Sequence, residues 1–204
     1  MIRTSVIAGL VAASGVTPPS LGAQTFRVEG TVSRVSWQPV GITDATTLTG
    51  FTLGAAGGVG VGPVSFEAGY AEGPMTPATP AGKPVLVEAF AAVRLRPIGA
   101  LSIGAGPYGR AHVTDAEVRR WLLWQVRGRY ETPLVGTRLA GYVELWTGFA
   151  GAPDAARGGS AGLILALDPL AVRVSYAIDD TRVDAAGGHE TLERLAVAVG
   201  IGRP

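Results

Sequence analysis

The residues of this chain that could do chemistry fall into two groups. The first is the run from Asp179 to Glu190, which gathers Asp179, Asp180 and Asp184 beside His189, one of only two histidines. A carboxylate next to an imidazole can serve hydrolysis, with the histidine as base and the acid orienting it. The plainer reading is a solvated loop. We adopt it, assign no catalytic residue and expect no enzyme. The second group is a set of charges at alternate positions: Arg27, Arg94, Arg96, Arg110, Arg119, Arg127, Arg129, Arg138 and Arg173, with Glu29, Glu67, Glu88 and Glu144. Confined together, such charges form ion-pair networks, because an unpaired charge is costly where water is scarce. They could equally line a narrow passage that favours anions. His112, near Tyr108 and Arg110, reads as one more side chain of this set.

Other chemistry finds no support. Gly104-Ala105-Gly106 sits inside an extended segment and opens no helix, so it is not a phosphate loop. No spacing suits a metal, and no cofactor is expected. There is no cysteine, which excludes a disulfide framework. A net charge of +1 argues against a nucleic-acid surface.

The elements that position the charges are extended. In Val85–Val113, alternate residues separate into Val85, Val87, Ala89, Ala91, Val93 and Leu95 on one face and Leu86, Glu88, Phe90, Ala92, Arg94 and Arg96 on the other. After a turn at Pro97-Ile98-Gly99, the return arm repeats the pattern. A period of two means strands. The same alternation marks Phe26–Val35, Leu48–Val61, Val64–Ala71, Val118–Tyr130, Gly136–Phe149, Gly159–Leu167, Leu170–Ile178 and Thr191–Gly202. That makes about ten strands. Thr114-Asp115-Ala116-Glu117 competes, since it reads as a helix capping box. A helix there would leave an odd strand count and break the rhythm of the connections, so a strand is preferred.

Short turns at Gly62-Pro63, Pro97-Ile98-Gly99, Thr132-Pro133-Leu134 and Asp168-Pro169 alternate with longer polar links at Gln38–Thr47, Gly73–Lys83, Thr114–Glu117, Gly151–Gly158 and Asp179–Glu190. Residues 1–23 read as a secretory signal: Arg3, then an apolar core from Val6 to Ala13, then Pro18, Pro19 and a small residue at Ala23. Residues 24–204 form one domain.

Which face is inside follows from composition. Only 16% of residues are charged and mean hydropathy is +0.30, although no later apolar run approaches a membrane helix. Lys83 is the only lysine. A water-facing surface uses lysine freely, whereas arginine suits pairing in confined space; GC-rich coding bias is the alternative cause. The polar face consists of Gly, Ala, Ser, Tyr and Arg with a few Glu. Small residues beside large ones suit a curved interior. Phe26 and Tyr130 fall toward the turns, and Phe51, Tyr70, Phe149 and Tyr176 toward the loops, as interfacial girdles require. Trp124, nearer mid-strand, does not fit them.

On this alternation and turn rhythm, over about residues 24–204, the chain resembles the small bacterial outer-membrane β-barrel proteins. The resemblance is architectural. It implies an all-β fold, a closed up-and-down antiparallel transmembrane β-barrel of about ten strands. It also implies export to the outer membrane of a Gram-negative-type bacterium, with outer-membrane lipids and the barrel assembly machinery as partners. Such barrels usually end on an aromatic residue; this chain ends Ile201-Gly202-Arg203-Pro204. The expected function is structural, or a narrow passage for small, anionic solutes. A rim-sited hydrolase using His189 and a soluble lipocalin-like ligand-binding barrel are the alternatives.

Overall fold

In the computed structural model, residues 24–38, 47–78, 82–115, 118–152, 155–182 and 189–202 are described. The signal segment 1–23, Asp184 and the final Arg203-Pro204 lie outside them. Ten strands follow one another: β1 (Gln24–Gln38), β2 (Leu48–Val61), β3 (Val64–Thr76), β4 (Val85–Ile98), β5 (Leu101–Val113), β6 (Val118–Val135), β7 (Leu139–Ala152), β8 (Ala155–Ala166), β9 (Leu170–Arg182) and β10 (His189–Ile201). Each pairs antiparallel with its neighbours in sequence, and β1 pairs with β10. The sheet therefore has no free edge to aggregate.

The register sets the barrel's size. Following paired residues round the wall from Trp37 through Leu192, Asp179, Gly158, Trp146, Arg127, Gly104, Arg94, Ser65 and Gly60 returns to β1 at Thr25, twelve residues earlier. Ten strands with that stagger tilt by about 40° and give a backbone radius of about 10 Å. An extended arginine covers most of such a radius, so side chains can fill the tube.

The outward face is apolar. Leu145, Val197, Val199, Leu163, Val174 and Leu122 are all exposed. The outward charges Arg34, Glu72, Arg120, Arg157, Asp180, Arg182 and Glu193 all lie within five residues of a strand's loop-side end. Below them β9 presents an uncharged outward run from Leu170 to Ile178. Nine residues at that tilt rise about 23 Å, close to the apolar band of membrane barrels. Aromatic residues edge this band. Phe26, Phe66 and Tyr130 stand toward the turns; Phe51, Tyr70, Phe149 and Tyr176 toward the loops. Trp124 pairs directly with Phe149 and so belongs to the loop-side row. It had looked misplaced because β6, with 18 residues, is longer than its sequence pattern suggests.

Several expected boundaries move. Val118 opens a strand as expected, but β6 continues to Val135. Pro133 lies within β6, and the turn falls at Gly136-Thr137-Arg138, where Gly136 takes a φ of 54° that favours glycine. β4 runs on through Pro97 and Ile98 past a bulge, leaving Gly99-Ala100 as the turn. The link expected over Gly151–Gly158 largely becomes strand, with β7 ending at Ala152 and β8 starting at Ala155. Asp179 and Glu190 likewise belong to β9 and β10, not to the connection between them.

Candidate functional site: the lumen

The site is the inside of the tube. The wall's alternation aims every second side chain inward. On β1 these are Arg27, Glu29, Thr31 and Ser33. On β4 they include Glu88 and Arg94, and on β6 Gln125, Arg127 and Arg129. Small residues on β2 (Gly54, Gly58, Gly60) leave room for the long side chains opposite.

Toward the loops the network centres on Arg110 of β5, which is 2% exposed. Its Nη1 donates to Glu190 Oε1 at 2.7 Å and its Nη2 to Asp179 Oδ2 at 2.8 Å. Glu88 Oε1 lies 3.2 Å from the same Nη2. The Tyr108 hydroxyl donates to Glu88, and Arg194 pairs with the other oxygen of that carboxylate. Trp146 Nε1 donates to Asp179 Oδ1 at 3.1 Å. The guanidinium also lies over the rings of Trp121 and Tyr108, 5.0 and 5.7 Å from their centroids. Arginine suits this place because its five donors can serve several acceptors at once without titrating.

Beside this layer, at the loop-side end, the lumen is apolar. Val35, Trp37, Leu48, Met75, Leu86 and Leu192 form a cluster with at most 1% exposure. Trp37 meets His112 edge to face, with ring centroids 4.9 Å apart. Tyr108, Leu123 and Ala156, with Phe90, Trp121 and Trp146 against them, form a second cluster. The loop-side end is thus packed with apolar and aromatic groups as well as ion pairs.

Toward the turns a second ionic network runs through the lumen. Arg94 joins Glu67 at 3.2 Å and Glu144 at 3.1 Å, and donates to Ser102 at 3.0 Å. Arg127 stands 3.6 Å from the other oxygen of Glu144. Glu29 accepts from Arg27 at 2.5 Å and also from Arg173. Arg129 pairs with Glu131 at 2.8 Å and lies 4.0 Å from the Tyr142 ring centroid. Among the described residues, this half holds six inward arginines (27, 94, 96, 127, 129, 173) against four carboxylates (29, 67, 131, 144). The loop-side layer holds Arg110 and Arg194 against Glu88, Asp179 and Glu190. Open space of about 220 Å³ remains in the middle of the lumen, and of about 170 Å³ at the turn-side mouth.

Most of the charged positions singled out in the sequence meet here. Two stand at the edges: Arg96 borders the turn-side mouth and is exposed, and Arg119 is exposed at the loop-side rim. Arg138 is a correction. It lies exposed in the β6–β7 turn, outside the lumen, because Gly136 rather than Pro133 makes the turn. Glu131, Asp179, Glu190 and Arg194 are lumen partners the charge set omitted. Arg194 already stands on the polar face of the Thr191–Gly202 alternation, and extending the other strands by one residue reaches Glu131, Asp179 and Glu190. The hydrolytic grouping is split by the wall. His189 Nδ1 lies 3.1 Å from Asp180 Oδ1 on the outer face, where Arg157 also holds Asp180 at 3.3 Å. Asp179 points the other way, into the lumen.

A closed up-and-down sheet, an uncharged outer band and an ionised interior define a transmembrane β-barrel of the outer-membrane type. No family model matches the chain, and no curated protein matches it. Solved outer-membrane barrels are similar to it in fold. Neisserial surface protein A is 12% identical at a TM-score of 0.48, over 88% of this chain and 98% of that one. The translocator domain of the autotransporter NalP from Neisseria meningitidis is 12% identical at 0.47, over 87% and 88%. The attachment invasion locus protein Ail of Yersinia pestis is 11% identical at 0.34, over 90% and 99%.

Proposed function

We propose that this protein is a non-enzymatic barrel of a Gram-negative-type outer membrane, reached by export and inserted by the barrel assembly machinery. Its lumen is sealed on the loop side, and it serves as a rigid membrane-embedded scaffold rather than a through-going pore. One observation carries this reading. Arg110 is tied to Glu190 on the strand directly across the barrel, beside the apolar cluster around Trp37. Ten strands lie well below porin width, which favours a filled tube. The split between Asp179 and the His189–Asp180 pair favours a structural role for these acids over hydrolysis.

A second reading, a narrow passage for small anions, draws on the surplus of arginine in the turn-side half. Planar-bilayer recording of the refolded protein decides between them. The scaffold reading expects no steady unitary conductance. A stable, anion-selective conductance in the unmodified protein would favour the passage instead.

A further inference from the structure

The charges of the lumen are unevenly spread along its axis. Six guanidinium groups meet four carboxylates in the turn-side half, while toward the loops Arg110 and Arg194, with Arg119 at the rim, meet three. Each turn-side carboxylate is already engaged. Glu29 serves both Arg27 and Arg173, and Glu144 serves Arg94 and Arg127. Among the described residues, no hydrogen bond or ion pair engages the Arg96 guanidinium, which borders the mouth beside Arg129, Ser65 and Thr25.

Lipid surrounds this chamber, so excess positive charge in it is screened far less than at an open surface. A compensating anion can enter from the turns, because the loop-side end is packed. The space of about 170 Å³ is room for several waters, or for one tetrahedral oxyanion with part of its hydration. Guanidinium forks match the paired oxygens of such an anion, and nearby hydroxyls supply further donors.

We infer that the turn-side vestibule binds a small, doubly charged oxyanion of the phosphate or sulfate kind, held by Arg96 with Arg27 and Arg129. The inference rests on the lumen being closed toward the loops, a condition the conductance recording reads independently.

Equilibrium dialysis of radiolabelled inorganic phosphate tests it, using the refolded barrel in uncharged micelles at low ionic strength. Folding of each variant is checked by the heat-dependent shift in gel mobility. The expected result is saturable binding of about one phosphate per barrel, displaced by sulfate and weakened about tenfold or more in Arg96→Gln. Arg138→Gln, on the outside of the neighbouring turn, should leave binding unchanged. No saturable binding by the folded wild type would overturn the inference. So would binding that Arg96→Gln leaves intact, or that Arg138→Gln weakens equally.

Discussion

Arg110 and Glu190 stand on strands diametrically opposite in the ten-strand ring, yet their side chains meet at 2.7 Å. Together with the Arg194–Glu88 pair between β10 and β4, that contact ties opposite walls of the barrel to each other. Three carboxylates from three strands converge on the one guanidinium. Replacing it by an apolar group of similar length, Arg110→Met, leaves those acids without their shared partner. Removing one side of a buried ionic cluster costs about 3–5 kcal/mol. Urea unfolding in micelles should show this as a lower midpoint with an unchanged slope. A loss below 1 kcal/mol would mean that the cluster is incidental to stability.

Trp37 is the largest side chain in the apolar loop-side cluster, and Met75 packs in the same cluster. Trp37→Ala removes that packing, and large-to-small changes of this kind cost about 3–5 kcal/mol. In Trp37→Ala/Met75→Ala, we expect unitary conductance that the unmodified barrel lacks. A folded but silent double variant would place the seal at the Arg110 layer alone.

The glycines of the wall are not equivalent. A Cβ on Gly106 would lie 1.9 Å from the carbonyl oxygen of Ala91 and 2.7 Å from the Cα of Ala92, both backbone atoms of β4. A Cβ on Gly128 would meet nothing within 4 Å. Gly106→Ala should therefore destabilise the barrel by about 1–3 kcal/mol, as overpacking does. Gly128→Ala should stay within about 0.5 kcal/mol, as changes away from close contacts do. Thermal loss of the compact gel band compares the two directly.

Much of the architecture is legible in the sequence because one rule holds over most of each strand: alternate residues face lipid and lumen. Phe26/Val28 against Arg27/Glu29, or Val172/Val174 against Arg173/Ser175, need no other information. The alternation still holds where the lumen itself turns apolar, but there side-chain character no longer tells the two faces apart. Val35, Trp37, Leu48, Met75, Leu86 and Leu192 point inward with the charges, so their character suggests the wrong side or a strand end. Turn chemistry misleads at Pro133, which β6 accommodates at its turn-side end, and this misplaced Arg138. Loop composition misleads at Asp179 and Glu190. Their acidity reads as solvent exposure, but their donor is an arginine about 70 and 80 residues earlier, and no local pattern announces so distant a partner.

The central claim is the orientation of the wall, and the four tryptophans report on it. Trp124 faces outward and is 51% exposed, whereas Trp37, Trp121 and Trp146 face the lumen. The measurement is tryptophan fluorescence of the refolded barrel in bilayers of lipids brominated along their acyl chains. Quenching should be substantial in the unmodified protein and almost absent in Trp124→Phe. Quenching that persists in Trp124→Phe, through tryptophans assigned to the interior, would contradict the account.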